Sequence, residues 1–540
     1  MIIEKSIYQV IKESTIKNKN KIAYDFLGYS KTYQDFFKDI NELAAFLNKI
    51  GVRKGDIISI YLPNMPISIT LYYAINKIGA ISNFIHPNMP INENSEILLK
   101  MQPKIIFILD SMYEKINELK NNKIKTKLIL VKISDFLPIK YKYYYKIKEL
   151  YYRFRINLDN NTFYYLTNKS KKNDMENKDI KNNIEFCETA TILFTGGTTG
   201  NTKGVRLSSK NMNAAAFQTS KYKINSNQQD KVLGILPIFH GYGLVNCIHT
   251  TFFVGDTLIL LPYYKDKLFK KTLLKVKPNY ILGIPKLYAK IYDLLKDIDV
   301  DLSFFRGLYC GGSKLNDNLL DKFNEMLKEK NSSILLREGY GLSECVGACT
   351  LMPSDESKRG SVGIAYVGVD IVIVDRISKK ELRANEVGEI CISSDTVMLG
   401  YFGEKNTNIE VEKNLRWLYS GDIGYIDSQG YIYFVDRVKR MIKILAHEVF
   451  PAKIEKCINS IDGVFDSCVI SAEKNDISYL KAFVVLDKYN AKNVTKELIL
   501  NNLSKNLSRW SVPREIEFVS SIDQTLLKKN DYLSMSKKNK

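Results

Sequence analysis

The run Thr191-Ile192-Leu193-Phe194 is β-branched and apolar, and it opens directly into Thr195-Gly196-Gly197-Thr198-Thr199-Gly200-Asn201-Thr202-Lys203-Gly204. The first part reads as a buried strand. The second cannot continue it, because four glycines in ten residues give a sheet too little to pack. Glycines let a backbone approach a ligand closely and aim its N–H groups at it. Threonine hydroxyls add donors, and Lys203 adds a positive charge. That combination suits a polyphosphate. It is not the pattern G-x-x-x-x-G-K-[ST], because Thr202 precedes Lys203 and Gly204 follows it. On composition alone an ordinary turn would be equally in order.

The chain before this stretch alternates helices and strands. Thr32-Tyr33 precede apolar residues at helical spacing (Phe36, Phe37, Ile40, Leu43, Ala44, Leu47), and Gly51 ends that helix. A strand follows at Ile57 to Leu62, a helix from Ile67 to Ile78 stopped by Gly79, and a strand from Ala80 to Ile85. Lys104 to Leu109 and Lys127 to Val131 read as further strands. After the glycine-rich stretch, Pro278 to Pro285 reads as a Pro-stopped strand, and Gly307 to Ser313 and Leu336 to Glu344 as strands running into glycine turns. Such alternation predicts α/β layers around a largely parallel sheet, with ligands at the strand ends. Short strands at Asp370 to Val374 and Glu389 to Ile392 predict a small β-rich subdomain. Residues Pro451 to Lys540 read as a compact α+β unit: helices at Ala452 to Ser460 and Thr495 to Leu507, strands at Val464 to Ser471, Tyr479 to Leu486 and Glu515 to Val519.

A length of 540 residues is ample for two or more domains. The net charge of +20 suits an anionic partner, or lysines spread over the whole surface. The eight cysteines include no CxxC, and the pair Cys345 and Cys349 has no second pair nearby. A zinc site is not expected and a reducing cytoplasmic compartment is. Met1-Ile2-Ile3-Glu4-Lys5 does not read as a signal peptide, and no stretch is long and apolar enough to span a membrane. Residues 136–156, with Tyr141-Lys142-Tyr143-Tyr144-Tyr145-Lys146, interleave aromatics and cations. They read as a surface excursion, either snorkelling along the protein or making peripheral contact with an anionic membrane.

Further motifs follow in order. Leu236-Pro237-Ile238-Phe239-His240-Gly241-Tyr242-Gly243 suggests a tight turn presenting His240 at a cleft. Gly311-Gly312-Ser313, Gly339-Tyr340-Gly341-Leu342-Ser343-Glu344 and Ser420-Gly421-Asp422 come next. Asp436-Arg437-Val438-Lys439 follows, and then Ala446-His447-Glu448-Val449-Phe450-Pro451 and Thr525-Leu526-Leu527-Lys528-Lys529. Taken by itself, Ser-Gly-Asp is a turn.

From Thr32 to Tyr532 these motifs, in this order, resemble the adenylate-forming superfamily of acyl-CoA synthetases, peptide-synthetase adenylation domains and luciferases. The resemblance implies an N-terminal adenylation domain over 1–435, a hinge at 436–439 and a mobile C-terminal domain over 440–540. It implies an ATP-dependent acid–CoA ligase that forms an acyl adenylate and then a thioester, most like fatty acyl-CoA synthetases. Two alternatives stay open: an enzyme loading the acyl group onto a carrier protein's phosphopantetheine, and a non-catalytic nucleotide- or acyl-binding descendant. By the resemblance Thr195, Gly196, Gly197, Thr198, Thr199, Gly200 and Lys203 hold phosphates. Gly311, Gly312, Ser313, Gly339, Tyr340, Gly341 and Ser343 bracket the nucleotide, with Tyr340 on adenine, and Asp422 and Arg437 reach the ribose. Glu344 helps hold Mg²⁺, His240 sits beside the carboxylate being activated, Lys529 drives adenylation and Lys439 is the pivot. Ala446 and His447 border the tunnel for the thiol acceptor, CoA or an acidic carrier protein. No nucleic-acid partner is implied. Asp436, Ala446 and Lys528 stand where the family pattern has glycine. The absence of an Asp beside Phe239 implies an acid without an α-amino group, since an unpaired buried amine costs several kcal/mol, roughly.

Overall fold

The computed structural model describes residues 4–89, 91–114, 116, 126–156, 158, 161–165, 185–195, 202–223, 229–404, 408–412, 415–444, 447–474, 477–487, 494–524 and 530–538. The helix Tyr33–Lys49 starts where the Thr32 side chain accepts the Asp35 N–H, and it buries the expected stripe of Phe36, Ile40, Leu43, Ala44 and Leu47. In the next helix, Pro66–Ile78, every residue but Lys77 is buried. A helix apolar on all sides belongs inside a domain. Here it lies in a core shared with strand residues of two large sheets, Ile58 and Ile60 from one and Val232 and Leu258 from the other.

The first sheet has eight strands, in the order Gly400–Tyr401, Lys203–Ser208, Thr189–Thr195, Ile81–Phe84, Ile57–Tyr61, Ile105–Leu109, Lys127–Val131 and Thr162–Tyr164. The second has seven: Leu336–Glu338, Gly307–Cys310, Tyr280–Gly283, Lys231–Gly234, Thr257–Leu260, Ile22–Phe26 and Tyr29–Thr32. Both are largely parallel, as the alternation of elements predicts, with antiparallel strands at an edge of each. A five-stranded antiparallel sheet follows, made of Val369–Val374, Gly388–Ser394, Leu415–Ile426, Ile409–Glu412 and Ile432–Arg437. The C-terminal unit carries a three-stranded sheet, Val464–Lys474, Ile477–Leu486 and Glu515–Phe518, with helices Pro451–Asn459 and Lys496–Asn506. Ile454, Ile458, Val469, Leu480, Ile499 and Leu503 form its own core.

Two local expectations are corrected. Pro285 does not merely stop a strand: it is the first residue of the helix Pro285–Leu295, where a missing N–H costs nothing. Ser420-Gly421-Asp422 is not a turn but a bulge inside the strand Leu415–Ile426. Glu389 pairs with Ile423 while Cys391 pairs with Tyr419, so these three residues are squeezed out of register. Gly421 takes φ +71°, the left-handed backbone such a bulge requires. The surface excursion over 136–156 is a helix, Ile139–Arg153; 166–184 lie outside the described residues.

Candidate active site

The glycine-rich stretch is the tip of a hairpin. Strand Thr189–Thr195 pairs antiparallel with Lys203–Ser208, and Thr195 and Lys203 are partners across it. The strand after the glycines went unread in the sequence, although Val205 and Leu207 alternate as a strand should. Gly196, Gly197, Thr198, Thr199 and Gly200 lie outside the described residues. Thr195 and Lys203 line a cavity of about 870 Å³. The Lys203 Nζ donates to Glu404 Oε2 at 2.8 Å and stands 4.5 Å from the Tyr401 ring centre. The hydrogen bond from Lys203 holds the Glu404 carboxyl below its usual range.

Three parallel strands of the second sheet end level with one another, since Gly283 pairs with Cys310 and Cys310 with Glu338. The residues just beyond those ends (Ile284, Gly311, Gly312, Ser313, Gly339, Tyr340 and Gly341) all line the same cavity. The chain then reverses: Gly341–Leu342 pairs antiparallel with Gly347–Ala348 around a short 3₁₀ turn, Ser343–Cys345. A Cβ on Gly341 would overlap the Gly347 carbonyl, so only glycine fits. The turn closes on Val346 at φ +65°, a strained conformation for a β-branched residue. Glu344 and Ser343 thereby face the cavity. Glu344 Oε1 accepts the Tyr401 hydroxyl at 2.9 Å.

The bulge at Gly421 aims Asp422 into the cavity from the opposite wall. Asp422 is buried, and it pairs in register with Arg437 across the antiparallel strands. One of its oxygens lies 3.1 Å from Arg437 Nε, and the other accepts the Tyr340 hydroxyl at 2.7 Å. Burial first, then the Asp422 charge, pushes the Tyr340 phenol well above its ordinary value. The Asp422 charge likewise raises Arg437.

His240 lines the cavity after a turn in which its N–H donates to Pro237 O at 3.2 Å. The expected presentation is therefore present, and the segment continues as a π-helix, Tyr242–His249, which the sequence does not announce. His249, at its end, is a core histidine held by Tyr73 and Asn213, and burial lowers it to about 3. Lys439 is exposed on the short 3₁₀ turn Val438–Arg440 and also lines the cavity. Ala446 and Lys529 lie outside the described residues; the His447 backbone begins the strand His447–Val449, which pairs with Ile442–Ile444. Among the described residues no cluster of three His, Cys, Asp or Glu side chains forms a metal-binding group. Glu344 offers the hard oxygen donor that Mg²⁺ takes alongside phosphate oxygens, one carboxylate being a common number.

Sequence reasoning overlooked several lining residues. Tyr401 stands in Gly400-Tyr401-Phe402-Gly403, where a Tyr bracketed by glycines could have been a signal. His86 is stacked against Phe239 with ring centres 4.1 Å apart, and burial lowers it. Nothing near His86 in the sequence points to that contact.

The family described as AMP-binding enzyme matches residues 11–402, and the AMP-binding enzyme C-terminal domain matches residues 453–529. The probable 4-coumarate–CoA ligase 1 of Dictyostelium discoideum is 31% identical over 506 residues, 92% of this chain and 89% of that one. The long-chain-fatty-acid–CoA ligase of Bacillus subtilis is 28% identical over 97% of this chain and 93% of its own. The crystal structure of ATP-bound MatB from Rhodopseudomonas palustris superposes with a TM-score of 0.80 at 21% identity, covering 99% of each chain.

Proposed function

The chain belongs to the AMP-binding enzyme family and is an adenylate-forming acid–CoA ligase, and on that premise we propose that its substrate is a fatty acid. The observation that carries the site assignment is convergence. Lys203, His240, Tyr340, Glu344, Asp422 and Arg437 come from separate elements, yet all face one cavity. In this reading Tyr340 packs on adenine, and Asp422, oriented by Tyr340 and Arg437, takes the ribose hydroxyls. The hairpin loop and Lys203 receive the phosphates. Mg²⁺, held through Glu344, supplies charge neutralisation on the phosphates when bound. A substrate carboxylate oxygen attacks the α-phosphorus as the bond to pyrophosphate breaks, and Lys529 offsets the developing negative charge. A thiolate then attacks the acyl carbon and AMP leaves. We place the pivot between these steps at 436–439, with 1–435 on one side and 440–540 on the other.

The carboxylates of the cavity support an acid without an α-amino group. Among the described residues these are Glu344, Glu389, Glu410 and Asp422. Each is already engaged: Glu344 by Tyr401, Glu389 by the Gly421 N–H, Glu410 by Tyr419, and Asp422 by Tyr340 and Arg437. No Asp stands beside Phe239 and His240 to pair an ammonium group. A fatty acid comes first because the Bacillus subtilis relative of that specificity aligns over 97% of this chain. An aryl acid is the second reading, favoured by Tyr222 and Tyr366, which stack at 4.4 Å and line the cavity. The test is pyrophosphate release against a panel of fatty, aryl and amino acids, with CoA or a phosphopantetheinylated carrier protein as acceptor. Fatty acids should give the highest rate, with CoA as acceptor. Release with amino acids and silence with the other two classes would refute the proposal.

A further inference from the structure

We propose that the helix Ile139–Arg153, with Phe154 and Arg155 continuing it, lies on an anionic lipid surface. The inference is independent of which acid the enzyme activates. Only Lys142, Tyr145, Glu149 and Tyr152 on this helix are turned away from solvent. Their spacing of three and four residues is one helical stripe. The stripe is fixed to the protein. Glu149 is buried and accepts both the N–H of Ser134, at 2.9 Å, and its hydroxyl, at 2.6 Å. Tyr145 packs on the main core. The orientation of the remaining face is therefore set.

With 3.6 residues per turn, Ile147 falls opposite the stripe, and Tyr143, Leu150, Tyr151 and Phe154 spread to either side of it. This outward face is apolar: Ile147 is 70% exposed, Leu150 55% and Phe154 91%. A solvated helix carries polar residues there. Lys146 and Arg153 border one edge of the face, and Lys148 and Arg155 the other. Lys140 interrupts the face near its start. Lys148 stands 4.7 Å from the Tyr144 ring and Arg155 4.5 Å from that of Tyr151, so the cations cover the aromatic edges. The one acidic residue of the helix, Glu149, faces inward, so no carboxylate of the helix opposes an anionic surface, although Glu114, outside the helix, pairs with Arg155 at 3.4 Å. Exposed Tyr263 adjoins Tyr145, and exposed Lys265 and Lys267 follow it in sequence. An apolar, tyrosine-rich face with cationic borders matches the headgroup–acyl boundary of a bilayer. The helix is too short to cross one, and no described helix is long and apolar enough to do so.

Flotation of the full chain with vesicles tests this, using phosphatidylcholine alone or phosphatidylcholine with phosphatidylserine. The protein should float with the phosphatidylserine vesicles at low salt and be released as salt rises. The double variant Ile147→Ser/Phe154→Ser should lower the partition coefficient at least tenfold. Lys148→Ser/Arg155→Ser should lower it at least fivefold at low salt and less at high salt. All four positions are exposed, and pyrophosphate exchange with a water-soluble acid should be unchanged, which reports intact folding. Absence of flotation with phosphatidylserine vesicles overturns the proposal, as does equal binding to both vesicle types or unaltered binding of Ile147→Ser/Phe154→Ser. So does a wild-type dimer that this variant converts to monomer, because the face would then be covered by a second copy.

Discussion

Tyr401 touches two charged residues of the cavity at once, its hydroxyl on Glu344 and its ring beneath Lys203. It is a positioning residue on the proposed roles of those two. Tyr401→Phe keeps the ring and removes the hydroxyl, so Glu344 loses a hydrogen bond while Lys203 keeps its seat. Pyrophosphate exchange should fall about fivefold, roughly 1 kcal/mol, and the Mg²⁺ dependence should move to higher concentration. An unmoved Mg²⁺ profile would reduce Tyr401 to a packing residue. On the role proposed for Lys529, Lys529→Ala removes a positive charge from the adenylation step. Exchange should drop at least tenfold, about 1.4 kcal/mol, while thioester formation from supplied acyl adenylate is spared. Unchanged exchange would shift the role to Lys528.

At the scale of elements, the helix Pro451–Asn459 begins without a cap of its own. Pro451 has no N–H, and Phe450 offers no side-chain acceptor. Asp436, the first residue of the proposed hinge, accepts the Ala452 N–H at 2.8 Å. Its other oxygen lies 3.5 Å from Arg440, whose guanidinium reaches Glu455 of that helix at 2.8 Å. The residue that departs from the family glycine thus fastens the C-terminal unit in this orientation. Asp436→Ala should cost about 1–2 kcal/mol in the unfolding of that unit, the usual worth of a lost cap. If the proposed rotation breaks this bond, the variant should also change the ratio of the two half-reactions. A variant with normal Tm and an unchanged ratio would mean that Asp436 fastens nothing.

For the whole molecule, the proposed mechanism uses two arrangements of the domains around one cavity, with the pivot at 436–439. Lys439 lies in a 3₁₀ turn, whose φ of about −50 to −70° falls within the range proline imposes. Val438→Pro, at the first position of that turn and after the extended Arg437, should therefore fit this orientation and block rotation out of it. One half-reaction should survive within about twofold and the other fall at least tenfold, a barrier increase of about 1.4 kcal/mol. Pyrophosphate exchange and thioester formation from acyl adenylate, measured separately, decide it. If both proceed at wild-type rates, the pivot lies elsewhere.

The stripe of the helix Tyr33–Lys49, the strands Ile57–Tyr61 and Ile105–Leu109 and the order of the glycine motifs were legible because each is written in neighbouring residues. Periodicity and turn chemistry act over a few positions and need no partner. The same holds for the C-terminal unit, whose helices and strands fall within a few residues of their sequence expectation. The contacts that build the site follow another rule. Asp422 meets Tyr340 and Arg437 only because a bulge throws three residues out of register and the next strand returns antiparallel. Tyr401 meets Glu344 because a two-residue strand, Gly400–Tyr401, adds to the edge of the hairpin strand Lys203–Ser208. Asp436 caps a helix that lies beyond the hinge in the chain. Sequence by itself determined which elements form and which chemistry each carries to its end. The tertiary structure decided which side chains face one another, because strand register and long-range packing depend on residues far apart in the chain.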